Sequence, residues 1–259
     1  MNEHAKAMVV KNSEEIALMR EANQIVAETL TKVTKHIDVG VTTWELDKIA
    51  EDNCIARKVR PAFKGYRGFP GSLCVSINEQ VVHGIPTKKC KLKSGDIISI
   101  DFGVEYKGFF GDSAITIPVG KIDGTKKKLL DVTRTSLNLA IEKVQVGNRI
   151  SDISRAVQQY VEEMGFSIVR QFVGHGIGSA LHEGPEIPNF VQDERSPRII
   201  EGLVLAIEPM VNAGTHKVKV LKDGWTVITA DKKPSAHFEH SVAVTADGPV
   251  VLSSRENFE

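Results

Sequence analysis

The 259-residue chain has little cysteine and no surplus of charge of either sign. Its three cysteines, Cys54, Cys74 and Cys90, are odd in number and lack CxxC spacing, so they cannot close a disulfide framework. That usage suits a reducing compartment. The 33 Lys and Arg residues balance 33 Asp and Glu, which argues against a polybasic protein acting on nucleic acid or membrane surfaces. Long apolar runs are also missing. The longest stretch free of Asp, Glu, Lys and Arg is 171–182, only 12 residues, too short for a membrane span. The N-terminal MNEHAKAMVVKNSEE has no apolar h-region, so no cleaved secretory signal is expected. No HExxH, GxSxG or GKS/T motif occurs, which removes zincins, serine hydrolases with that elbow, and Walker ATPases. Gly174, Gly176 and Gly178 are spaced GxGxG and lack the third glycine of a dinucleotide fingerprint. What remains is a composition of ordinary globular kind, 41% hydrophobic and 25% charged, long enough to bury a substantial core. A soluble cytoplasmic protein is expected.

Apolar periodicity predicts a helix over residues 13–37, with Ile16, Met19, Val26, Leu30, Val33 and Ile37 inward and Ser13 as N-cap. A second helix should start near Thr43, with Leu46 and Ile49 inward. Strand-like text follows in LCVSIN, GDIISIDFGV and FFGDSAITIPVG. Helical periodicity returns over 125–144 and 151–164, and strands resume in FSIVRQFVG, GLVLAIEPMV, GWTVITA and AHFEHSVAVT. This is an α+β order, and it looks duplicated. A shift of 107 carries Val39-Gly40 onto Val146-Gly147, Gly71-Ser72 onto Gly178-Ser179, Gly95 onto Gly202, and Asp101 onto Glu208. Identities over the whole span barely exceed chance, so the support lies in clustering at turns and in element order. No Pro-, Gly- or Ser-rich linker divides the chain. One catalytic unit over 1–259 is expected, with pseudo-symmetric halves at about 13–120 and 121–252 sharing a core.

Acids in apolar text carry the chemistry. Asp101 follows IISI, and Asp112 lies beyond Lys107-Gly108 in what reads as a hairpin. A primed turn at Lys107-Gly108 places Asp112 opposite Gly103 and diagonal to Asp101 on the same face. A turn at Tyr106-Lys107 instead sets the two acids directly opposite. Either way the pair is costly unless a cation or proton compensates. Glu208 lies in LVLAIEPM, a run that reads as a strand buried on both faces, where a lone Glu has a raised pKa or binds metal. Glu239, in AHFEHSV, reads as another strand acid, with small Ser241 on its face. His175 is flanked by glycines that allow close approach, His182 follows seven residues on, and His83 sits in VVHGIP. Singly, each imidazole is an ordinary structural histidine; beside four buried acids they become candidates. His4, His36 and His216 are expected at the surface, and His240, facing away from Glu239, as structural. A carboxylate-rich set with one imidazole suits two divalent ions such as Mn, Co, Fe or Zn. Two-metal sites with ions roughly 3.5–4 Å apart serve aminopeptidases, phosphatases and nucleases alike.

The order and contexts of Asp101, Asp112, His175, Glu208 and Glu239 resemble those of the methionine aminopeptidases. The segments that carry the resemblance are SINEQVVHGIP, DIISIDFGVEYKGFFGDSA, FVGHGIGSALHE, AIEPMVNAG and DGWTVITADKKPSAHFEHSVAVT. It runs from about Ser13 to the C-terminus. Glu208 and Glu239 are 31 residues apart, too close for the long insertion of the type II enzymes, so the chain resembles the compact bacterial type I. The resemblance implies the duplicated "pita-bread" fold, with a central antiparallel sheet flanked by helices. It implies two divalent ions (Co, Mn, Fe or Zn), bridged by Asp112 and Glu239, with Asp101 on one and His175 and Glu208 on the other. A metal-bound hydroxide would attack the scissile carbonyl, Glu208 would take the proton, His83 would bond near the scissile amide, and His182 would contact the substrate carbonyl. The methionine pocket maps to Phe63, Tyr66, Phe69, Cys74, Leu181 and Trp225, partners suited to a thioether. Phe63 and Leu181 depart from the small thiol and the aromatic often found there, and Phe69 lacks a tyrosine hydroxyl. These changes bear on pocket shape rather than on the reaction.

The resemblance implies removal of N-terminal methionine from nascent or newly made polypeptides, with a small second residue preferred. Two alternatives stand beside it: a proline-specific peptidase of the same fold, whose chains usually carry an N-terminal domain not seen before Ser13, and a non-catalytic relative that binds partners. A monomer without membrane attachment or sequence-specific nucleic-acid binding is expected. Setting the four site acids aside leaves 33 basic residues against 29 acidic, a surplus of +4 suited to weak ribosome association.

Overall fold

The structure, a computed structural model, describes residues 7–192 and 195–255. His4 lies outside the described residues. The first part of the chain runs α1 (Ser13–Thr34), α2 (Thr43–Arg57), β1 (Arg60–Pro61), β2 (Cys74–Ile77), β3 (Gln80–Val82), β4 (Ile97–Tyr106) and β5 (Phe109–Pro118). The second opens with α3 (Gly124–Ile141), α4 (Ile150–Glu163), β6 (Ser167–Ile168), β7 (Gly174–Gly176), β8 (Glu183–Ile187) and β9 (Val204–Ile207). It closes with β10 (Met210–Asn212), β11 (Val218–Val220), β12 (Val227–Thr229), β13 (Ser235–His237), β14 (His240–Thr245) and β15 (Gly248–Val251).

The helices form where apolar spacing predicts, with local corrections. α1 is capped by Asn12 rather than Ser13: its side chain accepts from the Glu14 and Glu15 amides while Glu15 reaches back to the Asn12 amide. It ends at Thr34, three residues short of Ile37. Met19, Val26, Leu30 and Val33 are fully buried and lay α1 across β4 and β5. Strand alternation divides β4 between two environments. Ile98, Ile100, Phe102 and Val104 enter the core under α1 and α2, while Ser99, Asp101 and Gly103 face the other way.

All ladder pairs of the named strands are antiparallel. One sheet joins β1 and β2 to one edge of β4 and β5 to the other, and a five-stranded sheet runs β15-β14-β9-β7-β8. Two smaller sheets run β13-β10-β6 and β11-β12-β3. The duplication is visible in local geometry. The Thr42–Lys91 bridge recurs 107 residues later as Arg149–Arg198, and Gly40 N donating to Leu92 O (2.8 Å) recurs as Gly147 N to Ile199 O (3.0 Å).

Two predicted strands are shorter than their apolar text. FSIVRQFVG supplies only β6 and the start of β7, and GLVLAIEPMV is broken into β9 and β10 at Glu208-Pro209. Pro209 has no N–H for a ladder, so Glu208 stands at a strand end rather than within a strand. Glu239 likewise sits in the break between β13 and β14, where the chain leaves one sheet for another.

Candidate metal centre and pocket

The β4–β5 hairpin turns at Lys107-Gly108, both with positive φ (50° and 84°), as a primed turn requires. Asp112 therefore pairs with Gly103, on the same face as Asp101. Beyond it, β5 is stitched to the segment 237–241. Ser113 Oγ donates to Glu239 O (2.6 Å), Glu239 N to Ala114 O (3.0 Å), and Ser241 Oγ to Asp112 O (2.8 Å). Thr116 Oγ1 donates to His237 O and accepts from His237 N (2.7 and 2.9 Å). This seam brings acids from the two parts of the chain together.

Asp112, His175 and Glu239 each offer a ligand atom, and these atoms lie within 4.8 Å of one another. Glu208 joins them with Oε1 3.5 Å from His175 Nε2. His175 Nδ1 donates to the Gly176 carbonyl (2.9 Å), which fixes a proton on Nδ1 and turns Nε2 toward Glu208. An imidazole held through Nδ1 by a backbone carbonyl, with Nε2 directed at carboxylates, has the orientation of a metal ligand. Asp101 Oδ1, Asp112 Oδ1 and Glu239 Oε1 are buried with no hydrogen-bond partner. Burial raises the pKa of Asp101, Asp112, Glu208 and Glu239, and the neighbouring charge of Asp112 adds to the other three. Orphaned acceptors, an oriented imidazole and an all-O/N donor set fit divalent metal.

His83 follows β3 with φ of 59° and stands edge-on to Phe172 and Trp225 (ring centroids 5.6 and 6.1 Å). Burial lowers its pKa to about 4. His182 precedes β8, with its ring 4.3 Å from that of His175 and Nδ1 2.9 Å from Tyr66 Oη. Phe63, Phe69, Cys74 and Leu181 are buried in one apolar cluster, with Tyr66 and Trp225 packed against it. Phe69 meets Trp225 edge to face at 5.1 Å. All the candidate acids, histidines and pocket residues line a single cavity of about 1030 Å³.

Other neighbours of the centre escaped sequence reasoning. His237 is buried, its Nε2 lacks a hydrogen-bond partner, and it lies 3.6 Å from Glu208 Oε2. Its position two residues before Glu239 was the available signal, since such residues share a face in extended chain. Asn189 Nδ2 donates to Glu208 O (3.0 Å), a link across 19 residues with no local signature. His240, by contrast, bonds Ser253 Oγ (2.8 Å) as a structural residue, His36 is exposed, and His216 is half-buried.

The family model of metallopeptidase family M24 matches residues 17–246. The chain belongs to this family. Among M24 relatives, the methionine aminopeptidase of Clostridium perfringens is 52% identical over 95% of this chain and 98% of its own length. Methionine aminopeptidase 1 of Bacillus subtilis is 51% identical over 95% and 99%. The solved methionine aminopeptidase of Thermotoga maritima superposes with a TM-score of 0.94 at 42% identity, covering 96% of this chain and all of that one. Prolidase from Pyrococcus furiosus shares the fold at 21% identity and a TM-score of 0.79, with 96% of this chain covering 66% of that one. The pita-bread architecture is thus shared with both solved proteins, and the chain is a metallopeptidase. No helix among the described residues is long and apolar enough to cross a membrane.

Proposed function

We propose that this chain is a methionine aminopeptidase that removes N-terminal methionine from nascent or newly made polypeptides. The observation that carries the reading is a buried carboxylate–imidazole centre opening directly onto an apolar, sulfur-lined pocket, in a chain 52% identical to a protein of that name. The proline-specific alternative rests on likeness of fold alone, at 21% identity. The chain is read as one catalytic unit over 1–259, with halves at about 13–120 and 121–252.

Asp101, Asp112, His175, Glu208 and Glu239 would hold two divalent ions, drawn from Co, Mn, Fe or Zn. Such ions supply Lewis acidity toward water and toward the scissile carbonyl. The chain's own side chains do the rest. Glu208, at the strand end beside His175, accepts the proton released as water attacks. His182, oriented by Tyr66, donates to the substrate carbonyl, and neutral His83 bonds near the scissile amide. Phe63, Tyr66, Phe69, Cys74, Leu181 and Trp225 receive the methionine side chain and exclude water from it. The protein is read as a cytoplasmic monomer that approaches ribosomes weakly through its exterior surplus of positive charge.

Protein loaded with Co(II) or Mn(II) and offered Met-Ala-Ser, Met-Leu-Ser and Ala-Pro peptides tests the reading. Rapid cleavage of Met-Ala-Ser and slow cleavage of Met-Leu-Ser are expected. Cleavage of the Ala-Pro peptide alone establishes the proline-specific alternative, and inertness with every metal the binding relative.

A further inference from the structure

We infer that Lys11 and Glu183 form a buried clasp whose role is to position Leu181 and His182, so that methionine selectivity depends on an ion pair outside the apolar cluster that receives the methionine side chain. The inference rests on the methionine aminopeptidase reading of the same site.

Lys11 Nζ donates to Glu183 Oε2 at 2.5 Å and to Val9 O at 2.8 Å, and the two charged side chains are only 2% and 5% exposed. They lie 172 residues apart in sequence. Lys11 belongs to the segment before α1. That segment is tied down by Lys11 N donating to Gly202 O (2.8 Å) and by a parallel bridge between Met8 and Gly184. It borders the substrate cavity, where Met8 is one of the lining residues. Glu183 is the first residue of β8, and its other oxygen closes the loop that precedes it. Oε1 accepts from Ala180 N (3.1 Å) and Ser179 Oγ (3.3 Å). Gly178 N donates to Ala180 O (3.1 Å), and Phe110 N donates to Gly178 O (2.8 Å). A Cβ at Gly178 would stand 2.3 Å from Lys11 Cε and 2.6 Å from Glu183 Oε1, so the ion pair is packed directly on the loop backbone.

Leu181 and His182 are the two residues between the loop's hydrogen-bonded base and the clasp. One belongs to the apolar pocket and the other lies against His175. Burying two charges is a poor way to gain stability, because a well-packed apolar pair of similar volume serves as well or better. What an apolar pair cannot do is accept the Ala180 amide. The geometry therefore assigns the pair to positioning, through a carboxylate that one oxygen anchors to Lys11 and the other to the loop.

The experiment compares the full chain with a Lys11→Met/Glu183→Leu double variant, both loaded with Mn(II), on Met-Ala-Ser and Leu-Ala-Ser. The ratio of kcat/KM for the two peptides does not depend on the folded fraction. It should fall at least tenfold in the double variant, while Lys11→Met/Glu183→Gln, which keeps an acceptor for Ala180, should retain most of it. Hydrogen exchange over 178–183 should also accelerate at least tenfold in the Leu variant, with α3 unchanged. In the unmodified chain the same segment should be protected like β7 and β8. A selectivity ratio that survives in the folded Leu variant overturns the inference, as does exchange of 178–183 in the unmodified chain at the rate of an open loop. If the unmodified chain cleaves no methionyl peptide, the functional reading falls, and the exchange rates alone decide the clasp.

Discussion

Replacing Gly176 by Ala perturbs the proposed centre without touching a ligand. Gly176 follows His175 in β7, which is wedged between β8 and β9. An added Cβ would lie 2.1 Å from Gly184 O and 2.7 Å from Gly184 C, both backbone atoms. Reaching even a 3.0 Å contact means opening β7 from β8 by about 0.9 Å, the difference between 3.0 and 2.1 Å. Retreat toward β9 is opposed by the ladder that already pairs His175 with Ala206 and Gly176 with Leu205 at hydrogen-bonding distance. His175 must therefore shift. Overpacking of this kind costs about 1–3 kcal/mol. In a chain of this size that is roughly 2–4 °C of Tm per kcal/mol. A displacement near 1 Å costs on the order of 10²-fold in rate. Gly176→Ala should thus melt a few degrees early and lose about 10²-fold in kcat/KM on Met-Ala-Ser. Gly124→Ala is the control: nothing lies within 4 Å of that position at the start of α3, so neutral kinetics and a gain of about 0.4–1 kcal/mol are expected. A Gly176→Ala protein with native Tm and turnover would refute the claim that strand spacing sets the His175 position.

Other outcomes follow from the same geometry. Mn(II) at about 100 times its Kd should add about 2.7 kcal/mol of stability, and chelation should remove it. A Tm indifferent to both would contradict metal binding at the orphaned carboxylates. His83→Ala should lower kcat by about 10²–10⁴ if the imidazole assists proton transfer, and unchanged turnover would make it structural. Because native His83 titrates at about 4 and an unfolded histidine near 6.5, only the unfolded chain binds that proton between these values. Its contribution is complete above pH 6.5 and is lost as pH falls toward 4, by up to about 3 kcal/mol. Urea midpoints of His83→Gln should accordingly depend less on pH than those of the unmodified chain. Replacing His237 by Phe should lower kcat about 10–100-fold with little change in KM, since it removes a neighbour of Glu208 and leaves the pocket intact. An unaltered kcat would show that His237 merely fills space.

The helices and the β4–β5 hairpin were legible because their signals are local: apolar spacing on α1, a helix start near Thr43, and Lys107-Gly108 between two alternating runs, although the α1 cap is Asn12 and not Ser13. Apolar text singled out the acids and the family resemblance gave them a common role; Asp112 and Glu239 are buried, and Asp101 and Glu208 half-buried. What could not be read was where continuous apolar text changes sheet. Glu208-Pro209 and Phe238-Glu239 look like strand interiors, yet each is a junction, because partners far along the chain decide where pairing ends. The Lys11–Glu183 pair was equally hidden. A lysine before a helix and a glutamate after a histidine are both unremarkable until tertiary packing buries them together.

The seam between β5 and residues 237–241 has a consequence for how the chain is made. Asp101 and Asp112 come from its first part, and His175, Glu208 and Glu239 from its second. Synthesis proceeds from the N-terminus, so a chain made only as far as β12 holds an incomplete set of proposed ligands and one open edge of β5. Peptidase activity should then require that Glu239 has been made and that the stitching to Ser113, Ala114 and Thr116 has formed. The two parts of the chain would thereby depend on each other for activity, since neither carries the full set of proposed ligands.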